Sequence, residues 1–244
     1  MAFLNKIRQA KQNGKKLLGI LIDPDKFDKN IQSPLFLEIK KTPPDFILVG
    51  GSLLSDYLDD TVLFLKQHFQ MPVFLFPGNV IQISSAADGI LFMSLISGRN
   101  AEFLIGQQVV AAPLLEKTNL EIISTGYVLL ENGKTTSVEY MSSTKPIPQD
   151  KQDIILATAL AGQYLGQQLI YLETGSGANH PVSGETIRLL SAKLNIPIIA
   201  GGGIRNTEDL KLLFSAGADI AVVGTVLEKN PEKLSELINV AISF

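Results

Sequence analysis

The chain has 244 residues, 45% hydrophobic and 18% charged, with no cysteine, two histidines and a formal net charge of −3. This composition excludes a disordered chain; without cysteine there are no disulfides, thiolate zinc sites or cysteine nucleophiles, and His68 and His180 are too few for a multi-histidine metal centre. No Lys/Arg block dominates, so nucleic-acid binding has no electrostatic footprint, and a cytoplasmic enzyme is the expectation.

The chain opens on Lys6, Arg8, Lys11, Lys15 and Lys16 with no acidic residue among them, while Phe3, Leu4 and Ile7 fall on one helical face. That pattern predicts a helix covering one end of the fold, with transient contact to a membrane surface as the alternative use of the apolar face. The run that follows, Leu17 to Ile22, is too short for a signal segment and ends in Asp23-Pro24. A long uncharged stretch, 154–172, carries Gln163, Gln167 and Gln168 and reads as a helix running into a strand, not as a membrane span.

Strands are predicted near 17–23, 45–50, 72–76, 89–93, 122–130, 168–173, 196–200 and 219–224. Amphipathic patterns between them predict helices over 28–41, 53–69, 99–117, 150–166, 183–194, 206–216 and 231–242. Near-continuous apolar strands belong to a parallel sheet covered on both faces. Eight such alternations fit one α/β domain over 1–244, a (β/α)8 TIM barrel. A doubly wound sheet would want a glycine-rich first turn, where Asp23-Pro24-Asp25-Lys26 stands instead. Only 77–88 separate the third and fourth strands, too few for an ordinary crossover. The third helix is therefore expected to be replaced by a loop, leaving room for a long apolar ligand or for a plugging turn. Residues 131–149 read as a lid or interface element.

Catalytic groups of such barrels sit at the C-terminal ends of strands. Strands seven and eight end in Gly201-Gly202-Gly203 and Gly224-Thr225, whose backbone amides can approach a phosphate. Strand six ends in Tyr171-Leu172-Glu173-Thr174-Gly175-Ser176-Gly177, and period-two alternation puts Tyr171 and Glu173 on one face. Glu173 is placed to accept a proton from a substrate hydroxyl that Tyr171 orients, unless it is a structural partner of Arg205 or Lys26. Strand one ends in Asp23 and strand two in Gly50-Gly51-Ser52. One carboxylate and one hydroxyl form a thin ligand set that Mg²⁺ completes only with water and substrate phosphate; Asp23 as a mere helix cap is the alternative. Asp56, Asp59 and Asp60 look like one aspartate-rich prenyltransferase box, but such boxes work in pairs inside helical proteins, and the match is read as chance.

The segments LIDPDK (21–26), GGS (50–52), YLETGSG (171–177), AGGGI (200–204) and VVGT (222–225) together resemble the geranylgeranylglyceryl phosphate synthase family. The resemblance implies a barrel with its third helix replaced. It also implies Mg²⁺-dependent transfer of a prenyl group from its diphosphate to the 3-hydroxyl of sn-glycerol 1-phosphate. Carried over by position, Asp23 and Ser52 resemble the metal ligands, and Glu173 and Tyr171 the catalytic pair. Tyr171, Leu172, Glu173, Thr174, Gly175, Ser176 and Gly177, with Gly202, Gly203, Gly224 and Thr225, resemble the glycerol-phosphate site. Leu21 stands where relatives using heptaprenyl chains carry Lys, which points to the geranylgeranyl subgroup. The family also implies a dimer or hexamer. Phe74, Phe76, Phe92 and Met93 are expected near the prenyl groove, and Asn100 either at the diphosphate or as a helix cap. A farnesyl or heptaprenyl donor, or a sugar-phosphate isomerase or lyase on the same barrel, are the competing functions.

Overall fold

The computed structural model describes residues 2–244. Eight parallel strands close into one barrel in sequence order: β1 (Leu17–Ile22), β2 (Phe46–Val49), β3 (Val73–Leu75), β4 (Gly89–Leu95), β5 (Glu121–Leu129), β6 (Leu169–Glu173), β7 (Ile198–Gly201) and β8 (Ile220–Val223). Closure is made by β1 against β8, with Leu17 opposite Ile220. The helices are α1 (Ala2–Gln12), α2 (Pro34–Lys41), α3 (Leu58–His68), α4 (Gln107–Leu115), α5 (Ser137–Ser142), α6 (Gln152–Tyr164), α7 (Gly184–Ser191), α8 (Thr207–Ala216), α9 (Thr225–Lys229) and α10 (Lys233–Ile242). A π-helical turn over Glu102–Gly106 leads into α4.

Alternation along each strand sorts the core into two layers. Leu17, Phe46, Leu48, Phe74, Leu91, Ile123, Leu169, Tyr171, Ile199 and Ile220 fill the barrel. Leu18, Ile20, Ile47, Val49, Val73, Leu75, Ile170 and Leu172 lie between strands and helices. The inner layer packs large against small: a Cβ on Gly19 would overlap the Phe46 ring, and one on Gly89 the Phe74 ring.

The floor of the barrel is α1. Phe3, Leu4 and Ile7 are buried in the inner core, and the Phe3 ring lies 4.6 Å from Phe74 and 5.1 Å from Phe46. The Glu121 carboxylate accepts the amides of Phe3 (2.9 Å) and Leu4 (3.0 Å), donors that a helix cannot satisfy within its own first turn. The helix-end reading of the N-terminus therefore holds. The apolar face that the membrane-contact alternative would use is buried inside the barrel. Among the described residues no helix is long and apolar enough to cross a membrane. We expect Leu4→Ala to cost roughly 2–5 kcal/mol in denaturant unfolding, since the barrel closed around it cannot collapse into the void. An unchanged unfolding midpoint would show that α1 is dispensable to the barrel.

No helix follows β3, as the short connection predicted. Residues 76–88 form a turn-rich loop in which Val80, Ile83, Ala86 and Ala87 pack against the outer core. Gln82 pins it, its Nε2 donating to Gly51 O at 2.8 Å and its Oε1 accepting from Gly78 N at 2.9 Å. Helix α2 begins six residues later than predicted, because Pro34 suits a first helical position and Ser33 caps it through the Phe36 amide. Two short helices had not been foreseen. α5 lies within the 131–149 segment, and α9 starts at Thr225 directly after β8.

Candidate active site

A cavity of about 900 Å³ opens at the C-terminal ends of the strands. Asp23, Ser52, Tyr171, Glu173, Ser176, Gly177, Gly202, Gly203, Gly224 and Thr225 all line it, brought from five strand ends to one mouth. Three predicted residues do not. Leu172 faces the outer core, as strand alternation requires of the residue between Tyr171 and Glu173. Thr174 is fully buried, with its hydroxyl turned to Gly201 O at 3.5 Å. Gly175 lies behind Glu173 and donates its amide to Glu173 Oε1 at 2.6 Å. Direct substrate contact is withdrawn for these three; they shape the turn that aims Glu173.

Glu173 is 6% exposed and makes no ion pair among the described residues, so the alternative of a structural pair with Arg205 or Lys26 is not what the fold built. Burial raises its pKa from an ordinary 4.5 to about 7, against the opposing pull of the Gly175 and Thr174 amides. Tyr171 is completely buried beneath the mouth, its hydroxyl beside Gly201, where a Cβ would strike the ring. Tyr127, at the end of β5, stacks on it at 5.5 Å with the ring planes 21° apart, and Phe76 lies 5.1 Å from Tyr171. Burial, and then the Glu173 carboxylate, push both tyrosine pKa values well above the ordinary 10, so both stay protonated hydrogen-bond donors. No local signal in the sequence marks Tyr127; the β5–β6 register sets it opposite Tyr171.

The phosphate-sized end of the mouth is glycine-built. Gly177, Gly202 and Gly203 all have positive φ, and the Ser176 and Thr225 hydroxyls meet at 3.0 Å, joining the β6 loop to the start of α9. No side chain caps α9, whose first turn faces the cavity as barrel phosphate sites require. Arg205, Lys229 and Lys233 add positive charge to this rim. Arg205 also holds the loop before α7, donating to Ala178 O at 2.8 Å.

Across the mouth, the loops that carry Asp23 and Ser52 are tied together by a neighbour. The Asp25 carboxylate accepts from Ser55 N (3.0 Å), Ser55 Oγ (3.0 Å) and Asp56 N (2.8 Å), tying the loop after β1 to the loop after β2. Those backbone donors hold the Asp25 pKa below its ordinary value. Gly51 packs against Asp23, and a Cβ there would sit 3.6 Å from Asp23 Oδ1. This is an all-oxygen set with a single carboxylate, and no group of three metal-ligating side chains exists among the described residues. It fits Mg²⁺ in its usual form, with water completing the shell and substrate phosphate replacing water when it binds.

Phe76 and Tyr127 also line a second, smaller pocket beside this cavity, bordered by Met93, Leu95, Phe103, Val138 and Met141. Helix α5 forms part of its wall and of the main mouth, so the 131–149 segment covers the site as a lid-like element. Phe76 and Met93 line this apolar channel as expected. Phe74 is corrected to the barrel interior and Phe92 to the outer core. Asn100 is a cap: its Oδ1 accepts from Glu102 N at 3.1 Å, while its Nδ2 anchors α5 through Ser142 O at 2.7 Å. Asp56 pairs with Lys29, and Asp59 and Asp60 are exposed on α3, in keeping with a chance match.

Residues 12–241 match the model of the PcrB family. A geranylgeranylglyceryl phosphate synthase of Spirosoma linguale is 48% identical over 239 residues, 98% of this chain and 96% of that protein. The protein of that name from Pyrococcus horikoshii is 41% identical over 93% of this chain and 89% of its own length. The crystal structure of the Thermoplasma acidophilum synthase, in complex with sn-glycerol 1-phosphate, superposes with a TM-score of 0.92 at 33% identity, over 99% of this chain and 98% of that one. A thiamine phosphate pyrophosphorylase from Pyrococcus furiosus, at 16% identity and a TM-score of 0.56, shares the fold alone. With a family model spanning nearly the whole chain and relatives this similar from both bacteria and archaea, the chain belongs to the PcrB family, the geranylgeranylglyceryl phosphate synthases.

Proposed function

We propose that this protein joins a geranylgeranyl group from its diphosphate to the 3-hydroxyl of sn-glycerol 1-phosphate, giving an ether-lipid precursor and diphosphate. The observation that carries this reading is a pair of adjoining cavities, sharing a wall at Ser52, Phe76 and Tyr127, that bring together three unlike regions. A glycine-lined phosphate end lies at β6 to β8, Asp23 with Ser52 lies across the mouth, and an apolar channel leaves between them.

Glycerol phosphate seated at the glycine end presents its free hydroxyl beside Glu173 and Tyr171. The hydroxyl oxygen forms the new bond to the allylic C1 as the bond from C1 to the diphosphate oxygen breaks, and Glu173 takes the released proton. A base with a pKa near 7 is matched to that task at neutral pH. Tyr127 and Tyr171 keep their hydroxyl protons and orient oxygen atoms without competing for the transferred one. Phe76 and the apolar wall exclude water, which would otherwise attack the same carbon. Asp23 and Ser52 are the residues that would hold Mg²⁺, and that ion, shared with the substrate, supplies neutralising charge for the departing diphosphate.

The test is to incubate the protein with Mg²⁺, sn-glycerol 1-phosphate and an equimolar mixture of farnesyl, geranylgeranyl and heptaprenyl diphosphates, then weigh the products by mass spectrometry. A geranylgeranylglyceryl phosphate peak, absent with EDTA, is expected. Another chain length would revise the channel alone, and no prenyl ether would overturn the function in favour of a sugar-phosphate enzyme. Asp23→Asn is expected to lower kcat/KM by roughly 10²–10³-fold, since diphosphate neutralisation is an electrostatic effect in a water-poor site. Activity within tenfold of wild type would remove Asp23 from the metal set. A homo-oligomer belongs to the same reading, supported by exposed Ile105 in the π-helical turn, Val109, Val110 and Leu114 on α4, and Tyr164 and Leu165 at the C-terminal end of α6, which follow the neighbouring strands β4 and β5. Light scattering would read its mass.

A further inference from the structure

Three charged side chains, Asp23 and Lys26 from the loop after β1 and Glu228 from α9, meet at one edge of the mouth, and the reaction uses only one of them. Lys26 Nζ lies 2.8 Å from Asp23 Oδ2 and 3.5 Å from Glu228 Oε1. Asp23 directly follows β1, and Glu228 belongs to α9. The other Asp23 oxygen, Oδ1, accepts the Asp25 amide at 3.2 Å. Both oxygens of the carboxylate assigned to the metal are therefore engaged, one of them by a resident ammonium. A divalent cation reaching Asp23 meets like charge at contact distance, and the lysine must move. Its side chain is half exposed and flexible, and its second carboxylate already waits on α9. Thr225, where α9 begins, touches Ser176 of the phosphate end, so a lysine drawn onto Glu228 acts on the element that bounds the other subsite.

We infer that Lys26 is a resident counter-cation for Asp23, displaced onto Glu228 when a divalent cation binds, coupling the metal side of the mouth to α9 and its phosphate end. The inference rests on the reading of Asp23 as a cation ligand. It makes Lys26 a positioning residue with a sign opposite to that of an ordinary ligand: removing it opens the metal site. It also makes Glu228 favourable to metal binding through Lys26, although Glu228 is not itself a ligand.

The experiment measures Mn²⁺ affinity by electron paramagnetic resonance on the full chain without substrates. The proteins compared are wild type, Lys26→Met, Lys26→Gln, Glu228→Gln and the double variant Lys26→Met/Glu228→Gln. Both lysine variants are expected to bind Mn²⁺ at least about threefold more tightly than wild type, and Glu228→Gln at least about threefold more weakly, with the Glu228 effect shrinking below about twofold once Lys26 is gone. Lys26→Arg should restore wild-type affinity. Melting temperatures confirm that each variant is folded. Unchanged or weaker binding in the lysine variants overturns the inference, as does a Glu228 effect of equal size in both backgrounds, or no Mn²⁺ binding by any of the proteins. A wild-type protein that shows the expected Mn²⁺ pattern yet makes no prenyl ether would instead refute the functional reading and leave this coupling standing.

Discussion

Replacing Glu173 with Gln should cut turnover severely and, above neutral pH, make the protein more stable. The amide keeps the shape and can still accept the Gly175 amide hydrogen that Glu173 Oε1 now holds at 2.6 Å. It cannot take a proton from the glycerol hydroxyl, so kcat should fall by roughly 10²–10⁴-fold. The stability effect follows from the same burial. With a pKa lifted from 4.5 to about 7, the folded protein holds a proton that the unfolded chain has already lost between those values. Stability therefore declines as pH rises across that window and stays reduced above it, by an amount on the order of 3 kcal/mol. At pH 8 the Gln variant is relieved of that cost and should melt several degrees higher than wild type, at ~2–4 °C per kcal/mol for a chain of this size. Near pH 4.5 the two should melt together. Wild-type kcat/KM should rise with pH through about 7 and then level off, following the ionised carboxylate. Thermal melts at the two pH values and a pH-rate profile check all three. A Gln variant retaining activity within tenfold would show that Glu173 orients the hydroxyl and does not deprotonate it.

Gly202→Ala is the second large effect, and it should strike glycerol phosphate selectively. Gly202 has φ +79°, a region where an L-residue is strained by ~1–3 kcal/mol. Its new Cβ would press on Glu173 Oε1, on Thr174 Oγ1 at 2.7 Å and on Gly175 N at 2.8 Å, all fixed by the β6 turn. The backbone must then withdraw from the phosphate or push Glu173 out of line. KM for glycerol phosphate should rise by about ten- to a hundredfold, since misplacement by 1 Å is enough for losses of that size. KM for the prenyl diphosphate, bound across the mouth, should stay within about threefold, because sites without shared partners act independently. Steady-state kinetics with each substrate varied in turn separate the two. An unchanged glycerol-phosphate KM in a folded variant would move the phosphate away from β7.

Much of the site was legible because barrel chemistry concentrates at strand ends, and strand ends can be read from hydrophobic runs. Period two placed Tyr171 and Glu173 on one inner face, and the structure puts both there. The same rule, applied to Leu172, would have excluded it from the site, as its place in the outer core shows. Tyr127 escaped because a single tyrosine in a strand carries no local sign of which strand it will face. Its role follows from the β5–β6 register that sets Tyr127 opposite Tyr171. Phe74 and Phe92 look as suited to an apolar channel as Phe76 and Met93, yet they differ in phase or in depth along the barrel. Helix α9 is five residues long, shorter than any periodicity can reveal.

What the amino-acid sequence determined alone was the local and the periodic. Apolar runs of strand length, amphipathic spacers, glycines at the ends of β7 and β8 and a connection too short for a helix after β3 together specify an eight-stranded barrel with one helix missing. These are properties of neighbouring residues, set by backbone sterics and by burial of alternating side chains. Only the closed barrel decided which carboxylate would be buried without a cationic partner, raising Glu173 toward neutrality, and which would be held by an ammonium, as Asp23 is by Lys26. It alone turned the apolar face of α1 inward and set α5 over the mouth. Desolvation and charge pairing depend on what lies within a few ångströms in space, and residues such as Lys26 and Glu228, 202 positions apart, come within that range only once β1 closes against β8.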